Sequence, residues 1–215
     1  MSVLAPSETY GEDYYLRGKQ MGLSNYEDYR WLPGQTCKHA AHLMRYLKIR
    51  EGQTVLDVGC SRGYLVKALR WSGIEAYGYD ISRWAIENCD EEVKEWVSNE
   101  LKAEPKQYDW ITLKDVCEHI EPSELAPLLE KLSAAAKRGL FIVVPLTIFM
   151  GGNYIRPEDE ADVTHVNRWP LDFWMQYLMH HCPGFTVSVS YYIKGIKECC
   201  ADHPGGCGFF TITRI

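Results

Sequence analysis

Apolar positions recur at helical spacing from Cys37 to Ile49, where Ala40, Leu43, Met44 and Leu47 fall on one face. Gly52 separates that stretch from a short apolar run, Thr54 to Val58, which ends in a glycine-bearing turn. A helical pattern resumes from Tyr64 to Trp71. Ala76 to Asp80 then reads as a second strand and Ser82 as the N-cap of the next helix. The pattern predicts a short third strand near Val93 to Val97, a fourth at Trp110 to Leu113, and a helix from about Ser123 to Lys137. Leu140 to Leu146 is continuously apolar, as expected of a parallel strand covered on both faces. A helix over Leu171 to His181 leads to an alternating strand, Phe185 to Ile193, and Gly208 to Ile215 supplies the last. Strands alternating with helices imply right-handed βαβ units and an α/β fold around a parallel sheet. A short connection between the final two strands predicts an antiparallel pair at the edge.

A length of 215 residues suits one domain with a real core. No repeat or flexible linker divides the chain. The expected organisation is an aromatic-rich arm over residues 1–36, followed by a single domain over residues 37–215. The arm carries Tyr10, Tyr14, Tyr15, Tyr26, Tyr29 and Trp31. Such a segment either packs on the domain or covers a ligand cleft. The net charge of −6 and the lack of a basic stripe argue against extended nucleic acid as a partner. Met1 to Tyr10 lacks a secretion signal, and the longest apolar run, Leu140 to Met150, contains Pro145 and is too short to span a bilayer. With no export signal, the eight cysteines read as reduced thiols of a cytoplasmic protein without a membrane segment.

The chemistry concentrates in Val55-Leu56-Asp57-Val58-Gly59-Cys60-Ser61-Arg62-Gly63. A strand that ends in glycines and turns into a helix lets a ligand approach bare backbone and unpaired N–H groups. Asp80, at the end of the second strand, offers a carboxylate to the hydroxyls of a ribose. These features suit any adenosine-containing cofactor. Two details narrow the choice. The turn reads Gly59-x-Ser61-x-Gly63 rather than G-x-G-x-x-G, and Asp57 stands just before it. A pyrophosphate would be repelled there, whereas a ligand with a sulfonium and an ammonium group would be attracted.

These residues resemble the class I S-adenosylmethionine-dependent methyltransferases of the small-molecule type. Val55 to Gly63 resembles the family's first motif, and Tyr79-Asp80-Ile81-Ser82 its ribose-binding motif. Tyr108-Asp109-Trp110-Ile111, followed by Asp115-Val116-Cys117-Glu118-His119-Ile120, is similar to its fourth-strand motif and the loop after it. Three ordered motifs are far more specific than one glycine loop. The resemblance implies a three-layer Rossmann-like fold, with a mostly parallel seven-stranded sheet and an antiparallel C-terminal edge pair. It implies S-adenosylmethionine as cofactor, direct methyl transfer, and a small-molecule acceptor. The implied cofactor contacts are Asp57, Gly59, Cys60, Ser61, Gly63, Asp80, Ile81, Lys114, Asp115 and Val116, with the adenine near Trp96 to Ser98. The departure is Ser61, which replaces the middle glycine of the first motif. The rival readings are a nicotinamide-dependent oxidoreductase or epimerase, and a non-catalytic module that keeps the cofactor fold.

Weaker signals remain. His165, within Asp162-Val163-Thr164-His165-Val166-Asn167-Arg168-Trp169, and His119 are the candidates for acid–base or orienting roles, with a structural role as the plain alternative. Gly151-Gly152 before that segment reads as a hinge or a simple turn. The loop from Cys199 to Cys207 has residue types found in zinc sites, yet its spacing fits a bare connection better. Cys37, His39 and His42 approximate ligand spacing on a helix face and read as packing. No metal is expected.

Overall fold

A computed structural model describes residues 6–215; the first five residues of the expected arm, and with them part of Met1 to Tyr10, lie outside the described residues. Three short helices come first: α1 (Pro6–Thr9), α2 (Glu12–Leu16) and α3 (Gly18–Met21). Helix α4 runs over Pro33–Leu47, earlier than the apolar spacing alone indicates, because Pro33 supplies a preset φ at the first helical position. It ends where Lys48 turns left-handed.

The chain forms two compact units. One reaches to Lys102 and includes Ala161–Thr164; the other comprises Ala103–Glu160 and His165–Ile215. In the first, β1 (Thr54–Val58) pairs in parallel with β2 (Glu75–Tyr79), in a register from Thr54↔Glu75 to Val58↔Tyr79. The crossover is α5 (Tyr64–Trp71). Helix α6 (Arg83–Glu87) starts as predicted, with the Ser82 hydroxyl accepting from the Ala85 N–H at 3.0 Å. The third strand differs from expectation. Glu91–Val93 forms a 3-10 turn, and β3 is confined to Val97–Ser98. Val93 is buried at the turn after β1, which leaves only Gly78↔Val97 and Tyr79↔Ser98 to pair.

In the second unit, β4 (Tyr108–Lys114) pairs in parallel with β5 (Ala136–Pro145). Helix α7 (Pro122–Ala135) connects them and passes into β5 without a loop. Helix α8 (Leu171–His181) follows, then β6 (Phe185–Ser190) and β7 (Cys207–Arg214). Strand β7 lies antiparallel between β5 and β6. The antiparallel pair is therefore present, but residues 191–206 make its connection long rather than short. The strand order is β3-β2-β1-β4-β5-β7-β6, the seven-stranded, mostly parallel α/β sheet that the resemblance implied. Leu140 to Val144 on β5 and Phe209, Phe210 and Ile212 on β7 are fully buried, so apolar burial is greatest along the central strands.

Cys200 and Cys207 are joined by a disulfide, which corrects the expectation that every cysteine is a reduced thiol. The 3-10 turn Glu198–Cys200 and the start of β7 bring their Cα atoms to 6.3 Å. The bond also removes two sulfurs from the zinc alternative at this loop. Among the described residues, no helix is long and apolar enough to cross a membrane.

Candidate active site

The turn after β1 holds three left-handed residues in five: Gly59 at φ 77°, Ser61 at 49° and Gly63 at 76°. Two hydrogen bonds force the bend. The Gly59 and Cys60 N–H groups both donate to the Tyr79 carbonyl, at 2.7 and 3.0 Å. Gly63 ends the turn as the residue before α5, and a Cβ there would meet Val93 at 2.8 Å. Glycine is needed at this position twice over, for the backbone angle and for the space. Ser61 adopts the left-handed region without that freedom, and it is held there by Asp80. The Asp80 carboxylate accepts the Ser61 N–H at 2.6 Å and the Ser82 N–H at 2.8 Å. Burial pushes Asp80 above the usual carboxylate range, and these two hydrogen bonds oppose the rise. Asp57 is buried on the strand, while Gly59 is exposed. The Ser61 Oγ is buried beside the Tyr15 and Tyr29 phenols, without a hydrogen bond of good geometry.

The arm packs beside this turn. Tyr14 and Tyr15 are buried with Ala85, and Tyr10, Tyr26, Tyr29 and Trp84 pack against them. Tyr15 stacks on Trp84 with ring centroids 5.5 Å apart, and Tyr29 stacks on Tyr64 at 5.3 Å. The Ser82 hydroxyl donates to the Tyr10 carbonyl at 2.5 Å, so the residue that caps α6 also anchors the arm. Arg62 donates to the Tyr29 carbonyl at 3.2 Å and to the Asn88 carbonyl at 2.6 Å. The Tyr14 hydroxyl donates to Asp162 at 2.6 Å, and the Val163 N–H donates to the Leu23 carbonyl at 3.2 Å. Burial first, and the Asp162 charge second, raise the Tyr14 phenol far above its ordinary range. Asp162 also accepts from the Thr164 N–H at 3.0 Å and so caps its own turn.

A second cluster follows β4. Asp115 has a left-handed φ of 56°. It is clamped between the Lys114 and Lys197 ammonium groups, each at 2.5 Å. Burial alone would raise its pKa, but the two cations hold it well below the usual range. Cys117–His119 forms a 3-10 turn in which Glu118 is 1% exposed. Burial, reinforced by Asp115, pushes the Glu118 carboxyl well up, with Lys197 opposing. The Val166 and Asn167 N–H groups both donate to the Glu118 carbonyl, at 2.8 and 3.0 Å. The Asn167 side-chain amide donates to the Cys117 and Ile120 carbonyls at 2.8 and 2.7 Å. These four bonds bring His165 against His119, with ring centroids 4.6 Å apart.

A family model described as a methyltransferase domain matches residues 31–188, well over half of the chain. The chain belongs to the methyltransferase-domain family. This methyltransferase shares its fold with solved structures of low sequence identity. One belongs to a complex between the Haloferax volcanii Trm112 methyltransferase activator and a methyltransferase, at 17% identity and a TM-score of 0.65, covering 99% of each chain. Another is a SAM-dependent methyltransferase from Archaeoglobus fulgidus, at 22% identity and a TM-score of 0.60, covering 82% of this chain and 92% of that one. A third is the magnesium protoporphyrin IX methyltransferase of Synechocystis PCC 6803 with bound SAM, at 14% identity and a TM-score of 0.62, covering 100% of both chains. No curated protein sequence matches. The family assignment favours the class I methyltransferase reading, with S-adenosylmethionine as cofactor, over the nicotinamide alternative.

The methyltransferase turn fits that cofactor on its own geometry. Gly59 is exposed backbone, Ser61 donates its N–H to Asp80, and Asp80 keeps spare lone pairs beyond its two backbone donors. Asp57, Gly59, Cys60, Ser61, Gly63 and Asp80 are therefore brought together at the ends of β1 and β2. Ile81 is 44% exposed beside them. Lys114, Asp115 and Val116 follow β4, where Asp115 is engaged by lysines. Trp96 lies under the Arg70 guanidinium, 3.5 Å from its ring centre, and Val97 and Ser98 form β3. On α4, Arg45 hydrogen-bonds the His42 ring at 2.9 Å. Tyr14, Glu118 and Asn167 stood in the sequence only as members of longer stretches, and Lys197 did not stand out at all. Each owes its importance to a partner far away in the chain, which no local spacing reveals.

Proposed function

We propose that this methyltransferase acts on a small-molecule acceptor, with Gly59 to Gly63 holding the methionine part of the donor and Asp80 its ribose. The observation that carries the reading is the left-handed turn pinned by the Ser61 N–H to Asp80, whose carboxylate keeps lone pairs beyond its two backbone donors. S-adenosylmethionine, when bound, supplies a methyl group already activated on a sulfonium. The protein's task is then to orient donor and acceptor and to exclude water, rather than to provide strong acid–base chemistry. Asp57 places a negative charge before the turn that suits the donor's cationic groups. Lys114, Asp115 and Val116 are assigned to the donor by resemblance. The arm and residues 151–169 are assigned to the acceptor side.

The net charge of −6 supports a small acceptor over a nucleic-acid backbone. A neighbour that shares the fold over its full length is named for methylating a small molecule, magnesium protoporphyrin IX. The test is transfer of labelled methyl from S-adenosylmethionine into fractionated cell extract. Label in the low-mass fraction supports the proposal; label confined to RNA or protein refutes it.

A further inference from the structure

We propose that Glu118, His119 and His165 form a binding site for a divalent transition-metal cation. One carboxylate oxygen and one nitrogen from each imidazole all lie within 4.8 Å of one another. The Glu118 Oε2 is buried, and no hydrogen-bond donor reaches it. A carboxylate taken out of water without a donor is costly, and a cation is the partner that offsets this most fully.

The scaffold is built to hold these three groups. Glu118 and His119 are neighbours on the 3-10 turn after β4. His165 is delivered by the segment whose next two N–H groups close on the Glu118 carbonyl, while the Asn167 amide clips the same turn at Cys117 and Ile120. The His165 ring is further fixed edge-on against His119 and Tyr154, at centroid distances of 4.6 and 5.2 Å. The Lys197 ammonium is committed to Asp115. Neighbouring acidic charge on Asp115 is thus neutralised by two lysines.

Ligand chemistry sets the class of ion. Two imidazoles and one carboxylate suit zinc, manganese, cobalt or iron, whereas calcium and magnesium favour all-oxygen sets. Bonds of roughly 2.0–2.2 Å would draw the three ligand atoms to about 3–4 Å apart. A small rotation of the side chains closes the difference. Three protein ligands leave an open position for water or another oxygen ligand, as in catalytic rather than structural sites. Both imidazoles then act through their lone pairs on the cation, in place of the acid–base roles expected for His119 and His165.

The test uses the full chain, stripped with a chelator and titrated with Co2+, and it does not depend on the methyl-donor assignment. The expected result is one equivalent bound, with visible d–d absorption and no thiolate charge-transfer band. Glu118→Gln and His165→Asn should each weaken Co2+ binding by about tenfold or more. Circular dichroism establishes that each variant is folded. Should a variant not fold, Mn2+ titration of the wild type should broaden the ring-proton resonances of both histidines selectively. The proposal is overturned if the wild type binds no stoichiometric Co2+. It is equally overturned by a thiolate band that places the ion at cysteine, by full affinity in both folded variants, or by no selective broadening of the histidines.

Discussion

Ser61→Gly should make the protein more stable and its cofactor binding weaker, two effects of opposite sign from one residue. Ser61 sits at φ 49°, where a side chain costs about 1–2 kcal/mol relative to glycine. Its hydroxyl is buried beside the Tyr15 and Tyr29 phenols without a hydrogen bond of good geometry, which costs about 1 kcal/mol in the unliganded protein. Against these, glycine adds about 0.4–1 kcal/mol of unfolded-chain entropy and gives up the contacts of a small buried side chain. The balance is a gain of roughly 1–2 kcal/mol, or several degrees in Tm at about 2–4 °C per kcal/mol for a chain of this size. If the hydroxyl serves the donor, its loss should weaken S-adenosylhomocysteine binding by about 0.5–1.5 kcal/mol, two- to tenfold. Ser61→Ala separates the two terms, since it removes the hydroxyl but keeps the strained Cβ. It should show the same loss of affinity with a smaller gain in stability. Thermal unfolding without ligand and titration calorimetry with S-adenosylhomocysteine read both quantities. A destabilised Ser61→Gly variant with unchanged affinity would show instead that the hydroxyl is structural.

Other expectations follow from buried contacts. Asn167→Leu removes the amide that clips the turn at Cys117 and Ile120, and should cost about 2–4 kcal/mol in urea unfolding. Tyr14→Phe deletes the buried hydrogen bond to Asp162 and should cost about 1–3 kcal/mol by the same assay. Asp115 has a depressed folded pKa, so its stabilising contribution is present above its unfolded pKa of about 3.9 and is lost as pH falls toward the folded value. Lys197→Met removes one of the two cations that depress it, and the midpoint of acid unfolding should move to higher pH. An unchanged midpoint would mean that Lys114 alone sets the Asp115 charge.

Much of the fold was legible because its signals are local. The continuous apolar run at Leu140 to Leu146, the glycine turn after Val58 and the Ser82 cap each announce an element through neighbouring residues. Elements that depend on distant partners were harder to see. Val93 looked like a strand residue, but its burial at Gly63 left the pairing with β2 to Val97 and Ser98. The last two strands were recognised, whereas their long connection, tied near its end to β7 by the Cys200–Cys207 disulfide, was not. The same contrast holds at the site. Asp57, Gly59, Gly63 and Asp80 stood out because a turn and an acid at strand ends form a pattern. The pairing of Lys197 with Asp115 spans the chain, as does that of Tyr14 with Asp162, and neither leaves a trace in spacing.

The most direct measurement is titration calorimetry of S-adenosylhomocysteine into the wild type and Asp80→Asn, with unfolding curves establishing that both are native. The carboxylate makes charged hydrogen bonds worth about 1.5–3 kcal/mol each, so one-to-one binding to the wild type and about ten- to hundredfold weaker binding to the variant are expected. Equal affinity in the two folded proteins, or no binding to the wild type, would mean that Asp80 does not hold the donor.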